Sequence, residues 1–240
     1  MDTRCDWAIE IRRLRKAFGQ RLALKNIDLN VRRGESLVIL GPNGAGKTTL
    51  IKVLAGLARP TAGQVKVMGL DLATEATDIR RLLGVVLHQP LLYDDLSGYE
   101  NLKFYGRMFG VPALESRIEF LIEKVGLSTR IHDLVRTLSR GMQQRLSLAR
   151  AMLHDPPIVL LDEPETGLDQ EARAILREIV AAPVGARTMI MTTHNLEHGL
   201  RMADRIVILA QGKVAYEQPR ETLDLTGLEV SYRRYAEIRR

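Results

Sequence analysis

Apolar and polar residues alternate near the start of the chain, in Ala8-Ile9-Glu10-Ile11 and again in Ile27-Asp28-Leu29-Asn30-Val31. A period of two is that of strands with one face buried, as in an antiparallel sheet. Ser36-Leu37-Val38-Ile39-Leu40 is instead almost continuously apolar and runs straight into Gly41, which predicts a strand buried on both faces. Thr48 to Leu57 takes helical spacing, stopping near Gly56 with Pro60 just beyond. Val65-Lys66-Val67 and Val85-Val86-Leu87 predict further short strands. From about Leu91 to Leu153 the character changes to helices, at Ser97–Phe109, Leu114–Val125 and Gly141–Leu153. Strands return at Ile158–Leu161, Thr188–Met191 and Ile206–Leu209, with a helix near Gln170–Ala181, and Gln211-Gly212 reads as a hairpin turn into Lys213-Val214-Ala215. The pattern predicts one α/β domain: a core over 1–90 and 156–218, a helical insert over 91–155, and a short helix or tail over 219–240.

The loop after the buried strand carries the first chemistry. Gly41-Pro42-Asn43-Gly44-Ala45-Gly46-Lys47-Thr48, with Thr49 next, matches G-x-x-x-x-G-K-[ST] between a strand and a helix. Glycines let the backbone wrap a phosphate chain with successive N–H groups pointing inward. The helix that follows turns its positive end to the same anion. Lys47 is then placed to reach β- and γ-phosphates, and the Thr48 hydroxyl to ligate Mg2+.

A second apolar run, Ile158-Val159-Leu160-Leu161, ends in Asp162-Glu163. A buried strand would deliver Asp162 to the sheet edge beside the loop, where open α/β sheets bind ligands. Asp162 there can hold Mg2+ through its water shell. Alternation puts Glu163 on the other face, where it could orient and deprotonate an attacking water. An isolated acid pair would more simply close a strand at the surface; beside a phosphate loop the chemical reading gains weight.

Composition changes the picture little. The 240 residues are 45% hydrophobic and 27% charged, as in ordinary globular chains. No apolar run approaches the roughly 18 residues needed to cross a bilayer. Met1 to Glu10 carries acids and no apolar segment, so no signal peptide is expected and the chain should remain in the cytoplasm. Cys5, the single cysteine, excludes an internal disulfide and fits a reducing compartment. A net charge of +6 suits a nucleic-acid surface, a membrane-proximal protein or simply a solvated surface.

Leu138-Ser139-Arg140-Gly141-Met142-Gln143-Gln144-Arg145, with its serine 23 residues before Asp162, resembles the signature of ATP-binding-cassette (ABC) ATPases, usually LSGGQ followed by basic helical residues. The resemblance spans nearly the whole chain. It implies a P-loop NTPase core, a mixed sheet with an N-terminal antiparallel β-subdomain, plus a helical insert. It also implies ATP and Mg2+ as cofactors. Phe18 looks like the aromatic that stacks on adenine. Gln89 looks like the glutamine that contacts Mg2+ and senses the transmembrane partner. Gly167-Leu168-Asp169 resembles the loop that crosses between two subunits, and His194 the switch histidine at the γ-phosphate. Singly, Phe18 reads as core, Gln89 as a turn residue, Asp169 as a helix N-cap and His194 as a strand end. Arg140 and Met142 depart from the usual signature, while Ser139 and Gly141 keep its phosphate-contacting positions.

The family pattern implies two copies paired head to tail, with ATP between Lys47 of one and Ser139 of the other, Glu163 activating water, and transmembrane permease subunits as partners. Residence would then be peripheral, on the cytoplasmic face of the membrane, with no nucleic-acid partner. A soluble cassette acting on ribosomes or DNA is the alternative. Only about ninety residues separate Lys47 from Ser139, without sustained heptads, which disfavours the long coiled coil of the DNA-repair relatives. The stretch Leu92-Tyr93-Asp94-Asp95-Leu96-Ser97 through Leu102 resembles ABC-2-type exporters and the haem-exporter ATPase of cytochrome c maturation, and the LSRGMQQR wording leans toward the latter. Drug, lipid or polysaccharide export are the other cargoes.

Overall fold

The computed structural model describes residues 6–165 and 187–236. The predicted helix near Gln170–Ala181, Asp169 with its Gly167-Leu168 neighbours, Cys5 and the terminal Arg239-Arg240 lie outside the described residues. Two sheets organise the rest. The first is antiparallel, in the order β2-β1-β4-β5, formed by β1 (Trp7–Phe18), β2 (Arg21–Arg32), β4 (Ala62–Val67) and β5 (Leu70–Asp71). The second has six strands in the order β10-β9-β3-β8-β7-β6. Its members are β3 (Ser36–Leu40), β6 (Leu83–Val86), β7 (Ile158–Asp162), β8 (Thr188–Thr193), β9 (Arg205–Ala210) and β10 (Lys213–Pro219). It is parallel except for the β9–β10 hairpin, so it is mixed, as expected.

The continuously apolar strands sit in the middle of this second sheet because both of its faces are covered. Leu37 and Ile39 of β3 pack with Ile158 and Leu160 of β7 into one core, together with the antiparallel sheet and helix α1 (Lys47–Leu54). Val38, Leu40, Val159 and Leu161 point into the other, against α3 (Gly98–Phe109), α4 (Leu114–Lys124) and α5 (Arg140–Met152). The alternation of the sequence is thus divided between two cores. The three helices all fall between β6 and β7 in the chain.

Several elements differ in extent from the pattern. β1 and β2 are far longer than their alternating stretches. Left-handed residues Arg13 and Asn26 interrupt the alternation, and shifts in register let the ladder continue past them. The Asp28 carboxylate takes the Arg13 N–H at 2.7 Å. Helix α1 stops at Leu54, three residues early, because the Leu57 and Ala58 N–H groups turn back to the Lys52 carbonyl. Helix α2 (Ala76–Arg81), strand β5 and helix α6 (Leu196–Met202) are too short to leave a periodic signal. Beyond Pro219 the chain forms α7 (Leu225–Ala236), whose Tyr235 stacks on Tyr216 of β10.

The entry to α3 is held by one buried amide. Ser97 and Glu100 make a reciprocal cap, and Asn101, fully buried, donates to the carbonyls of Tyr93 and Ser97 while its own oxygen accepts the Tyr93 N–H at 2.8 Å. Replacing it by an apolar isostere strands the Tyr93 N–H, at a cost of about 1–3 kcal/mol, while the carbonyls of Tyr93 and Ser97 keep the N–H groups of Leu96 and Asn101. Asn101→Leu should therefore lower the unfolding free energy by roughly 1–3 kcal/mol in chemical denaturation, with an unchanged m-value.

Candidate functional site

The parallel register brings the C-terminal ends of β3, β7 and β8 level: Leu40 pairs with Thr193, and Asp162 with Thr192. The Gly41–Gly46 turn leaves β3 at this edge. A Cβ at Gly41 would lie 2.2 Å from the Leu209 carbonyl oxygen, so only glycine lets the turn pass β9. Gly46 has φ +108°, and a Cβ there would meet the Ala23 carbonyl at 2.8 Å. It is the N-cap of α1, so the first N–H groups of that helix face the turn.

Lys47 is the charge at the centre. It is 5% exposed, and its ammonium donates to the carbonyls of Gly41 at 2.6 Å and Pro42 at 3.3 Å. Glu163 supplies the counter-charge at 3.4 Å, and its other oxygen lies 3.3 Å from Nδ1 of His194, itself 60% exposed. Asp162 is buried and accepts from the hydroxyls of Thr48 at 3.1 Å and Thr192 at 2.7 Å. The strand alternation expected to carry Glu163 to the opposite face breaks here. Glu163 adopts φ +48°, breaking the strand period, and its N–H bonds to the Thr192 carbonyl. Both carboxylates therefore flank the same loop: Asp162 touches Thr48, and Glu163 touches Lys47.

A cleft of about 380 Å3 runs over the loop, lined by Phe18, Arg21, Pro42, Asn43, Gly44, Ala45, Gly46, Lys47, Thr48, Thr49 and Glu163. Phe18 is 54% exposed at its edge, with the Lys16 ammonium 4.8 Å over its ring; it is not core. Arg21 and Thr192 are site residues that no motif indicated. Arg21 ends up there through the β1–β2 hairpin, and Thr192 is recognisable only as the residue opposite Asp162 on the next strand. A larger groove of about 780 Å3 lies elsewhere, by Trp7, Arg33 and Arg205. Its part-buried cation, Arg205, is already bonded to Glu35 and Glu217.

Three predicted residues are not brought to the cleft. Gln89 is exposed on the bend after β6 and does not line it. Ser139 and Gly141 start α5, where the Ser139 hydroxyl accepts the Met142 N–H at 3.3 Å as an exposed N-cap. Beside them Arg140, the departure from the usual signature, puts its guanidinium 2.6 Å from Nε2 of His88, next to Gln89.

The donor set fits a nucleotide with a hard cation. The turn offers N–H groups and one ammonium to phosphates, and Thr48 with Asp162 offers only oxygens, the preference of Mg2+. Among the described residues no group of three or more His, Cys, Asp and Glu could hold a metal, so a cation here would depend on phosphate oxygens and water.

Residues 24–166 match the family described as "ABC transporter". The chain is 37% identical over 220 residues to the Nod factor export ATP-binding protein I of Cupriavidus pinatubonensis, covering 90% of this chain and 68% of that protein. It is 39% identical over 215 residues to the daunorubicin resistance ATP-binding protein DrrA3 of Streptomyces coeruleorubidus, covering 88% and 68%. Among solved structures it superposes with TM-score 0.83 and 28% identity on the dimeric post-hydrolysis ATP-binding cassette MJ0796 bound to ADP and Pi, covering 90% of this chain and all of that one.

Gly46→Ala tests the cradle by itself. The added methyl meets the Ala23 carbonyl and Leu24, so the turn must open. ATP affinity, read by equilibrium titration, should fall at least about tenfold, the equivalent of ~1.4 kcal/mol. The far-ultraviolet dichroism should stay unchanged.

Proposed function

The chain belongs to the ABC transporter family as an ATP-binding, ATP-hydrolysing subunit, and we propose that it powers an exporter from the cytoplasmic face of a membrane, paired with a second copy of itself. The observation that carries this is the juxtaposition of Lys47, Glu163 and His194 at one sheet edge, with Ser139 of the same chain outside their cleft. A signature serine placed there is useful to the loop of a second copy. The solved relative that is a dimer with ADP and Pi supports that arrangement.

The Lys47 ammonium is paired with Glu163 and donates to the carbonyls of Gly41 and Pro42. A triphosphate on the turn would draw Lys47 to its β- and γ-oxygens and release the carboxylate. Thr48 and Asp162 would hold Mg2+, which when bound offsets phosphate charge, and Gln89 would join them only if the bend after β6 moved toward the cleft. Glu163 then accepts a proton from water as the water oxygen attacks the γ-phosphorus and the bond to ADP breaks. His194 and, from the partner copy, Ser139 and Gly141 would steady the γ-phosphate oxygens. Phe18 would stack on the adenine, and Asp169 would contact the neighbouring copy. We treat residues 1–240 as one ATPase domain, with its helical lobe over 91–155.

Among the described residues no helix is long and apolar enough to cross a membrane, so the route would lie in partner permease subunits. An exposed apolar strip on the helical lobe, Tyr93, Phe104 and Met108, offers them a surface. Tyr93 and Phe104 meet edge to face at 5.3 Å. Relatives named for Nod factor export and daunorubicin resistance favour a drug-, lipid- or polysaccharide-type cargo over the haem suggested by the wording of the signature.

Glu163→Gln should bind ATP with nearly native affinity, lose at least about 100-fold in turnover and accumulate as an ATP-bound dimer on size exclusion. Turnover near the wild-type rate would remove Glu163 from the role of base.

A further inference from the structure

Behind the edge that carries Asp162 and Glu163 lies a third carboxylate that the hydrolysis scheme leaves unused. Glu165 is 6% exposed. One of its oxygens accepts from the Thr193 hydroxyl, and the other lies 3.1 Å from Nε2 of His198, a side chain almost as buried. Thr193 Oγ1 also accepts the Asn195 N–H at 2.9 Å, and the Asn195 side chain accepts the His198 N–H at 2.9 Å to cap α6. Thr193, before His194, is thus bonded to Glu165, and Asn195, after it, caps the helix whose His198 ring approaches the same carboxylate. The His194 ring itself is mostly exposed and lies against Glu163.

A buried carboxylate is expensive, and an apolar side chain of similar volume would commonly stabilise the same space better. The arrangement makes sense if it fixes geometry. We propose that Glu165 and His198 are a positioning pair for His194. They lock the turn from β8 into α6 so that Nδ1 of His194 faces Glu163, and they tie that turn to the chain leaving the catalytic carboxylate through Pro164. Without the pair, Thr193 loses its acceptor and α6 is free to shift at its N-terminal end. A displacement of about 1 Å at a group touching phosphate is enough to cost on the order of 100-fold in rate. The inference rests on the reading of His194 as a γ-phosphate contact.

The test compares Glu165→Leu, His198→Leu and the exchange Glu165→His/His198→Glu in the full chain. Steady-state ATPase kinetics are measured beside 1H–15N spectra of labelled imidazoles, with His194 assigned by His194→Gln. Each single variant should lower kcat roughly 10- to 100-fold with the ATP KM within about twofold, and should move the His194 ring signals. The exchange should recover most of both. Should Glu165→Leu fail to fold, Glu165→Gln, which keeps the shape and an acceptor for Thr193, carries the comparison. Single variants with native kcat and unmoved His194 signals would overturn the proposal, as would an exchange no better than the worse single. His194→Ala separates the two ideas. If it turns over like wild type, the role of His194 fails; if it is inactive while Glu165→Leu is native in both readouts, only the positioning pair fails.

Discussion

A buried ammonium cannot be left unpaired, and the arrangement around Lys47 follows from that. Its position is fixed by α1, whose start is set by the Gly41–Gly46 turn, which in turn needs the close pass of β9 at Leu209 and of β2 at Ala23. The charge is met by Glu163 and the carbonyls of Gly41 and Pro42. The same contacts that satisfy Lys47 occupy the carboxylate that would accept a proton from water. Phosphate is a better partner for the ammonium than two carbonyls and a carboxylate at 3.4 Å. A phosphate that drew Lys47 away would therefore also free the Glu163 carboxylate.

The six-stranded sheet transmits this edge to the rest of the molecule because it is dry on both sides. One face carries the antiparallel sheet and α1, the other the helices from Gly98 to Met152. Arg150, deep in α5, donates to the Val85 carbonyl on β6 and lies over the Tyr105 ring 5.2 Å away; burial pulls its guanidinium down to about 10. That contact anchors the far end of α5 to the strand preceding Gln89. At the near end Arg140 reaches His88, one residue from the same glutamine. The helix that presents Ser139 thus contacts the segment around β6 at both ends.

Much of this was legible in the residues. The strand Ser36–Leu40 and the three helices of the insert were bounded to within a residue or two, because burial on two faces and strong caps such as Ser97 leave unmistakable patterns. The phosphate turn, Asp162, Glu163 and the family signature were likewise readable, since each is a local string with a chemical reason. What escaped was tertiary. The left-handed turn at Glu163 broke the alternation that assigned it to the opposite face. Bulges at Arg13 and Asn26 hid two-thirds of β1 from a period-two search. Thr192, Arg21 and the Glu165–His198 pair acquire meaning only from what folds against them.

The claim that matters most is that the signature of one copy closes over the phosphate turn of another. It can be tested by mixing two single-cysteine chains, both with Cys5→Ser: one bearing Asn43→Cys on the exposed turn, the other Arg140→Cys beside Ser139. Oxidation with a non-hydrolysable ATP analogue and Mg2+ should yield a disulfide-linked heterodimer that is scarce without nucleotide. A mixture that stays monomeric with bound nucleotide, or cross-links equally without it, would contradict the account.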